Sequence, residues 1–285
     1  MSIVVTAASG QFGRLVVESL LARGVPADQI VATTRQVDRL ADLAGHGVQV
    51  RLLDYSDPAS IAAALTGATR VLLVSGNEFG QRVAQHTAVA QAAQASGVEL
   101  LAYTSAPHAD HTSLQLAAEH AATEAAIRAT GVEFTFLRNG WYFENYTAQI
   151  PSYLEHGAVL GSAGEGRISG AARADLAEAA AAVLVGEGHA GQVYELGGDT
   201  SFSLGELAAL VAEQSGKPVV YRDLPVEQFA AALEGAGLPA PVAALFAATD
   251  SSIRDGALLI ETGDLSRLIG RPTSPLSDAV AAALR

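Results

Sequence analysis

The chain of 285 residues contains no cysteine. That excludes a disulfide framework, a thiolate nucleophile and a Cys-based metal site. Lysine is almost as scarce: Lys217 stands alone, and arginine carries nearly all the positive charge. Positive charge as a whole is short, with 17 Lys and Arg against 30 Asp and Glu, for a formal charge of -13. This balance argues against nucleic acid and anionic membrane surfaces as partners, while local positive charge still suffices for an anionic cofactor. No run approaches the ~20 uninterrupted apolar residues of a membrane span. The N-terminus opens on a strand-like run, without the basic stretch and apolar segment of a signal peptide. The expectation is a soluble, cytoplasmic protein, with an acidic, Ala-rich helical surface that permits a homodimer. The chain is 49% hydrophobic, which places it among globular proteins with a substantial core.

What is present is a rhythm. Short apolar, β-branched runs at Ile3–Thr6, Ile30–Thr34, Val48–Leu52, Val71–Val74, Leu100–Tyr103, Phe134–Leu137 and Val193–Leu196 alternate with helical patterns. Leu15, Val16, Ser19 and Leu20 make one helical face, and Val83, Val89, Ala90 and Ala93 another. Gly24, Gly47, Gly97 and Gly131 mark helix ends before the next strand. Alternation of this kind predicts an α/β fold: a doubly wound parallel sheet of the Rossmann type with helices on both faces. The rhythm changes after Arg138. Residues 141–170 hold the sole Trp and three of the seven Tyr, and residues 218–275 are Pro-rich and irregular. The expected organisation is a core of residues 1–140, with 174–200 returning to it. Residues 141–173 and 201–285 then form a smaller C-terminal substrate lobe over the C-terminal edge of the sheet, where ligands bind in open α/β folds.

The first strand runs into "TAASGQFG", residues 6–13. Gly10 and Gly13 occupy the close-approach and helix-packing positions of a dinucleotide turn, and the helix that follows offers free N–H groups to a pyrophosphate. Ala7 replaces the first glycine, at little cost if its φ is negative. The second strand ends "VATTR" with no acid at Thr33 or Thr34 to bind the ribose hydroxyls of NAD. Arg35 follows, either as a solvated surface arginine or as the partner of a 2′-phosphate. Asp54 is placed to approach an adenine, or else caps the helix before Pro58.

The segments "TAASGQFG", "VATTR", "LLVSG", "LLAYTS", "FLRNGWYFENY", "RADLAEAAAAVL", "YELGGD" and "LIGRPT" follow in that order. Together they resemble the NmrA-like branch of atypical short-chain dehydrogenases, in particular type-2 NAD(P)H:quinone oxidoreductases, with triphenylmethane-dye reductases as near relatives. The resemblance covers essentially the whole chain. It implies a flavin-independent, NADPH-dependent reductase of quinones or similar planar electrophiles. Alternatives are a reductase of dyes, enones or imines, and a non-catalytic NADP-sensing regulator. The Tyr–Lys relay of the wider superfamily is absent, because no Tyr is followed by Lys at four-residue spacing; Leu116 and His120 occupy the approximate places. The resemblance assigns Ala8, Ser9, Gly10, Gln11, Phe12 and Gly13 to the pyrophosphate and Arg35 to the 2′-phosphate. Ser75, Gly76 and Asn77, with Thr104 and Ser105, border the cofactor. Asn139, Gly140, Trp141 and Tyr142 flank the nicotinamide.

Other candidates are weighed on their chemistry. "PHADH" holds His108, Asp110 and His111, but a metal site needs three converging ligands, and none is expected. His108, after a strand end, is either a substrate contact or part of a solvated loop. His120 and Glu124 stand one helical turn apart, as an intrahelical pair or with His120 facing the nicotinamide ribose. His120 and Tyr142 are the candidates for a catalytic role. Trp141, Tyr142 and Tyr146 are a core cluster or, with Phe79, a flat aromatic wall for a planar acceptor. Asn145 is placed to hydrogen-bond an acceptor carbonyl. Arg173 opens a helix, where it is expected to serve structure and to pair with Asp175 or another carboxylate near the lobe junction.

Overall fold

The computed structural model describes residues 2–285. Seven parallel strands form the main sheet: β1 (Ile3–Val5), β2 (Ile30–Thr34), β3 (Gln49–Leu52), β4 (Arg70–Leu73), β5 (Leu100–Ser105), β6 (Phe134–Asn139) and β8 (Val193–Leu196), in the order β3-β2-β1-β4-β5-β6-β8. Successive side chains of a strand point to opposite faces. Accordingly Ile3 and Val5 pack on one side with α1 (Gln11–Ala22) and α8 (Arg173–Val185). Val4 packs on the other side with α3 (Pro58–Ala64), α4 (Arg82–Ala95) and α5 (Ala117–Thr130). The Ala-rich sequence of α8 lets it lie close to α1, and Ala177, Ala180 and Ala181 are fully buried there. The chain order reverses between β1 and β4, which opens a crevice at their C-terminal ends.

The second body is built from α6 (Glu144–Thr147), α7 (Ile150–His156), α9 (Leu204–Ser215), α10 (Val226–Gly235), α11 (Ala240–Arg254) and α13 (Leu276–Ala283). A two-stranded parallel sheet, β7 (Ala158–Gly161) with β9 (Val220–Asp223), joins it. Phe143, Tyr146, Tyr153, Phe202, Leu207 and Ile253 share its core.

Two expectations need correction. Residues 218–275 are not irregular, because α10, α11 and α12 (Asp264–Ile269) lie within them. Prolines that read as breakers here start helices: Pro225 and Pro239 are N-caps, and Pro241 lies in the first turn of α11. Nor does all of 201–285 belong to the lobe, since Leu265 and Ile269 of α12 pack into the α1–α8 side of the main sheet. Among the described residues, no helix is long and apolar enough to cross a membrane.

Candidate functional site

The turn after β1 is held by two backbone hydrogen bonds, Ala8 N–H to the Thr33 carbonyl at 2.8 Å and Gly10 N–H to the Ala7 carbonyl at 2.9 Å. Ala7 has φ +49°, so the turn requires the left-handed conformation that sequence reasoning hoped to avoid. For alanine that costs about 1–2 kcal/mol, sustained by the surrounding turn. Helix α1 begins at once, with Gly10 as an N-cap that offers no side chain. The N–H groups of Gln11, Phe12 and Gly13 therefore have no partner within the helix. Gly13 presses directly on the turn: a Cβ there would lie 2.6 Å from the Ala7 carbonyl oxygen.

This turn forms one wall of a cavity of about 440 Å³ at the β1–β4 crevice. Ser9, Gly10, Gln11, Phe12, Gly13, Arg35, Asp54, Ser75, Gly76 and Asn77 all line it. Ala8 is fully buried behind the turn. Asp54 accepts from the Ser56 N–H at 2.9 Å, whereas the cap of α3 is Asp57, which accepts from Ala59 N–H at 3.0 Å. Arg35 is exposed and paired with Glu78 at 3.1 Å. Among the lining residues that sequence reasoning missed are Arg39, Tyr55, Glu78 and Gln85. The Tyr55 hydroxyl donates to the Val74 carbonyl at 2.6 Å and lies 2.6 Å from Thr6 Oγ1, which fixes the β1–β4 edge.

Thr104 and Ser105 stand behind this rim. Thr104 Oγ1 accepts from Ser75 N–H at 2.8 Å, and Ser105 Oγ donates to Glu124 at 2.7 Å. His86 is buried behind Gly76: its Nε2 accepts from the Gly76 N–H at 3.0 Å, and its Nδ1 lies 3.3 Å from Thr123 Oγ1. His120 does not pair with Glu124. Its Nδ1 lies 2.8 Å from the Tyr103 hydroxyl. Burial, then the nearby Arg82 charge, lowers both histidines to about 3, so both are neutral. Glu124 instead joins a buried cluster around Arg138, which donates to Glu124 at 2.8 and 2.9 Å, to Glu195 at 2.9 Å and to Asp110 at 3.0 Å. Glu195 also accepts from His108 N–H at 3.0 Å, and His108 Nε2 lies 3.2 Å from the Leu259 carbonyl. His108, at φ +51°, is thus a loop anchor lining neither cavity, a correction to its expected substrate contact.

Where β6 ends, Asn139 is buried, and neither of its amide atoms has a hydrogen-bond partner among the described residues. Gly140 follows, with no room for a side chain: a Cβ would lie 2.7 Å from the Leu196 carbonyl oxygen. The Tyr142 ring sits 6.3 Å from Phe12 of the turn and under the Arg173 guanidinium at 4.7 Å. Burial pushes the Tyr142 hydroxyl above the usual tyrosine range and so keeps it protonated, against the opposing pull of the Asn139 amide and the Arg173 charge. Arg173 therefore does not pair with Asp175, which is buried and held by Arg271 at 2.7 Å.

Trp141 and Asn145 open onto a second, larger cavity of about 790 Å³. Its wall continues through Tyr146 and Tyr153 to Phe229, Leu233 and Phe246 on the α10–α11 hairpin, and to Asp250. Aromatic side chains do line this cavity, but two of the expected set, Phe79 and Tyr142, are not among them. Phe79 is 62% exposed and stacks on Arg82 at 5.1 Å, and Tyr142 points to the turn instead. Tyr153 and Asp250 were missed, since their meeting depends on how α7 and α11 pack. Among the described residues, no three His, Asp or Glu side chains are grouped to hold a metal ion.

Comparison with known proteins fits this geometry. The chain is 48% identical over 278 residues to quinone oxidoreductase 2 of Escherichia coli, covering 98% of this chain and 97% of that one. The crystal structure of the NADPH-dependent quinone oxidoreductase of E. coli complexed with NADPH superposes with a TM-score of 0.96, at 47% identity over 99% of this chain and 100% of that one. The triphenylmethane reductase of Citrobacter sp. complexed with NADP(H) superposes with a TM-score of 0.94, at 38% identity over 99% of this chain and 100% of that one. The family model described as NAD(P)H-binding matches residues 7–186, from the strained alanine of the turn to the end of α8. The chain belongs to the NAD(P)H-binding family.

Proposed function

We propose that the protein reduces quinones with NADPH. What carries this reading is the segment from Asn139 to Asn145. It reaches the turn through Tyr142 and Phe12, 6.3 Å apart, and lines the aromatic cavity with Trp141 and Asn145. One short stretch of chain thus links the crevice of the turn, through the Tyr142–Phe12 contact, to an apolar chamber suited to a planar acceptor. The E. coli relative, described as NADPH-dependent and as a quinone oxidoreductase, supports both halves.

The residues present fit NADPH. Gly10 and Gly13, where a Cβ would crowd the Ala7 carbonyl, let α1 start tight against the turn, and the unpaired N–H groups of α1 suit a pyrophosphate. Arg35 and Arg39 supply positive charge for a 2′-phosphate, and Asn139 offers an unpaired amide at the nicotinamide end. When bound, NADPH supplies the hydride. The chain's own contribution is alignment and exclusion of water: Gly140 and the stacked Tyr142 hold the segment, and Trp141 and Tyr146 present flat apolar surface to the acceptor. No Tyr–Lys relay is available, since Lys217 is the sole lysine and lies on the chain after α9.

The test follows NADPH absorbance with benzoquinone, naphthoquinone and a triphenylmethane dye, without added flavin. Quinone-dependent oxidation that prefers NADPH to NADH is expected. A protein that binds NADPH by titration yet oxidises it with none of the quinones overturns the proposal, and turnover with the dye alone moves the substrate class.

A further inference from the structure

The aromatic cavity contains one carboxyl group that the reading above does not use. Asp250 on α11 lines the cavity and is 9% exposed. Its Oδ2 accepts from the Ser162 N–H at 2.8 Å, and its Oδ1 has no hydrogen-bond partner among the described residues. The opposing backbone is shaped around it: a Cβ on Gly161 would lie 2.8 Å from Oδ2. One carboxyl oxygen is thus fixed on the backbone, while the other stays accessible on the cavity side, where an acceptor can meet it.

We propose that Asp250 is the proton donor to the reduced acceptor, with Oδ2 held by Ser162 and the acid proton on Oδ1. The inference rests on the quinone reductase reading and deepens it. Hydride from NADPH, with its electron pair, converts the quinone to the hydroquinone monoanion. The Asp250 O–H bond then breaks, its proton passes to the anionic oxygen, and a carboxylate remains. Water returns a proton past the exposed rim at His156 and Phe246. Each turnover consumes one NADPH and one proton and releases NADP+ and hydroquinone.

The electrostatics suit the task. Burial raises the Asp250 carboxyl to about 6, Ser162 N–H opposes the shift, Asp223 adds to it and Arg254 subtracts. A general acid works best near the operating pH. The other groups around it are Tyr146 of α6, Tyr153 of α7 and Tyr221 of β9, whose hydroxyls are all pushed upward by burial and stay protonated. His156 and Arg222 stand on the cavity lining. A structural role would need only an acceptor for Ser162, which asparagine supplies equally well. That separates the two roles.

Trp141 is the sole tryptophan and lines the cavity, so quenching of its fluorescence by naphthoquinone reports binding without NADPH. In the wild type, binding is expected to weaken about fivefold or more as the pH rises through about 6, because the carboxylate presents no donor to a carbonyl. Asp250→Asn is expected to bind with a flat pH profile and to lose about 100-fold or more in kcat, the usual weight of a general acid. His156→Gln must keep the inflection. Asp250→Ser leaves space beside Ser162, and acetate, but not chloride, is expected to restore part of its turnover. Asp250→Asn with wild-type kcat, a flat wild-type binding profile, or an Asp250→Ser that folds and shows no response to acetate overturns the inference while leaving quinone reduction standing. A wild type that binds naphthoquinone but never reduces it overturns the function and the proton donor together.

Discussion

The contact between Gly13 and the turn can be perturbed by a single methyl group. In Gly13→Ala the new Cβ would sit 2.6 Å from the Ala7 oxygen, 2.9 Å from Ala8 Cα and 3.0 Å from the Ala7 carbonyl carbon, all of them backbone atoms. Reaching an ordinary 3.4 Å contact requires a separation of turn and helix by about 0.8 Å. Helix α1 cannot simply slide away, because Val16, Val17 and Leu20 are fully buried against the sheet and α8. Overpacking of this kind costs about 2–3 kcal/mol, and the better helix propensity of alanine returns about 1 kcal/mol. With an unfolding entropy near 2 cal/mol/K per residue, the net loss lowers Tm by about 2–3 °C in a chain of this size. The N–H groups of α1 move with the helix, so NADPH affinity falls as well, by about tenfold for each charge-assisted hydrogen bond lost. Gly10→Ala is the control. Its Cβ would lie 3.2 Å from the same oxygen, and Gly10 has φ -82°, which alanine adopts freely. That variant should keep its Tm within about 1 °C and still lose NADPH affinity, because Gly10 lines the crevice. Thermal unfolding with and without NADPH reads both effects. A Gly13→Ala protein with unchanged Tm and an unchanged NADPH-induced shift would refute the tight-turn reasoning.

Arg35→Asp is expected to erase the NADPH preference while NADH-driven turnover survives, and Glu78→Gln, which frees Arg35 from its 3.1 Å partner, to tighten NADPH binding by up to about fivefold; kcat/KM for both cofactors at fixed salt checks both. Arg138→Met leaves Glu124 and Glu195 without their shared cation and is expected to cost about 3–5 kcal/mol in urea unfolding; a loss under about 1 kcal/mol would show that the cluster is not an energetic unit. His86 and His120 titrate near 3 in the fold against 6.5 when unfolded, so below about 6.5 the unfolded chain binds more protons. Their contribution is complete above that pH and is lost towards 3, by up to about 1.4 kcal/mol per pH unit for each histidine. Asp250 works in the opposite direction between about 6 and 3.8, because there the folded protein binds the extra proton. Urea unfolding across the acid range should show this slope, and an Asp250→Asn variant should steepen it.

The inner strands of the main sheet were legible because β1, β2, β4 and β5 are short apolar runs buried on both faces, as central parallel strands must be, whereas the edge strands β3 and β8 are partly exposed. The glycines at 24, 47, 97 and 131 were legible because each adopts positive φ at the exit of a helix or turn. The pair β7–β9 was not. Leu160 and Val220 are exposed, each strand has four residues, and the partners lie some sixty residues apart in sequence. Only Gly10 and Gly13 of the crevice could be read from the local pattern of the turn; Ser75, Gly76 and Asn77 come from another strand end and followed from the family resemblance. Phe79 and His108 were misplaced because tertiary partners, Arg82 for one and Glu195 and Leu259 for the other, decide where a loop side chain points. Asp250 gave no local signal: its environment exists only after α11 has packed over Gly161 and Ser162.

Two local costs of this fold lie close to the proposed cofactor path: the left-handed Ala7, and the amide of Asn139, which has no hydrogen-bond partner among the described residues. An unpaired buried amide costs about 1–3 kcal/mol, whereas an apolar side chain of similar shape at the same place costs little. Asn139→Leu should therefore stabilise the ligand-free protein by about 1 kcal/mol, or about 2 °C in Tm. If the amide is kept for NADPH, the same variant should lose most of one hydrogen bond's worth of ligand-induced stabilisation, about 1 kcal/mol at saturating cofactor. The two effects have opposite signs on the same thermal curve, with and without NADPH, so they do not mask one another. A purely structural asparagine would instead give a less stable ligand-free protein with the NADPH shift intact. That result would move the nicotinamide end of the site away from β6.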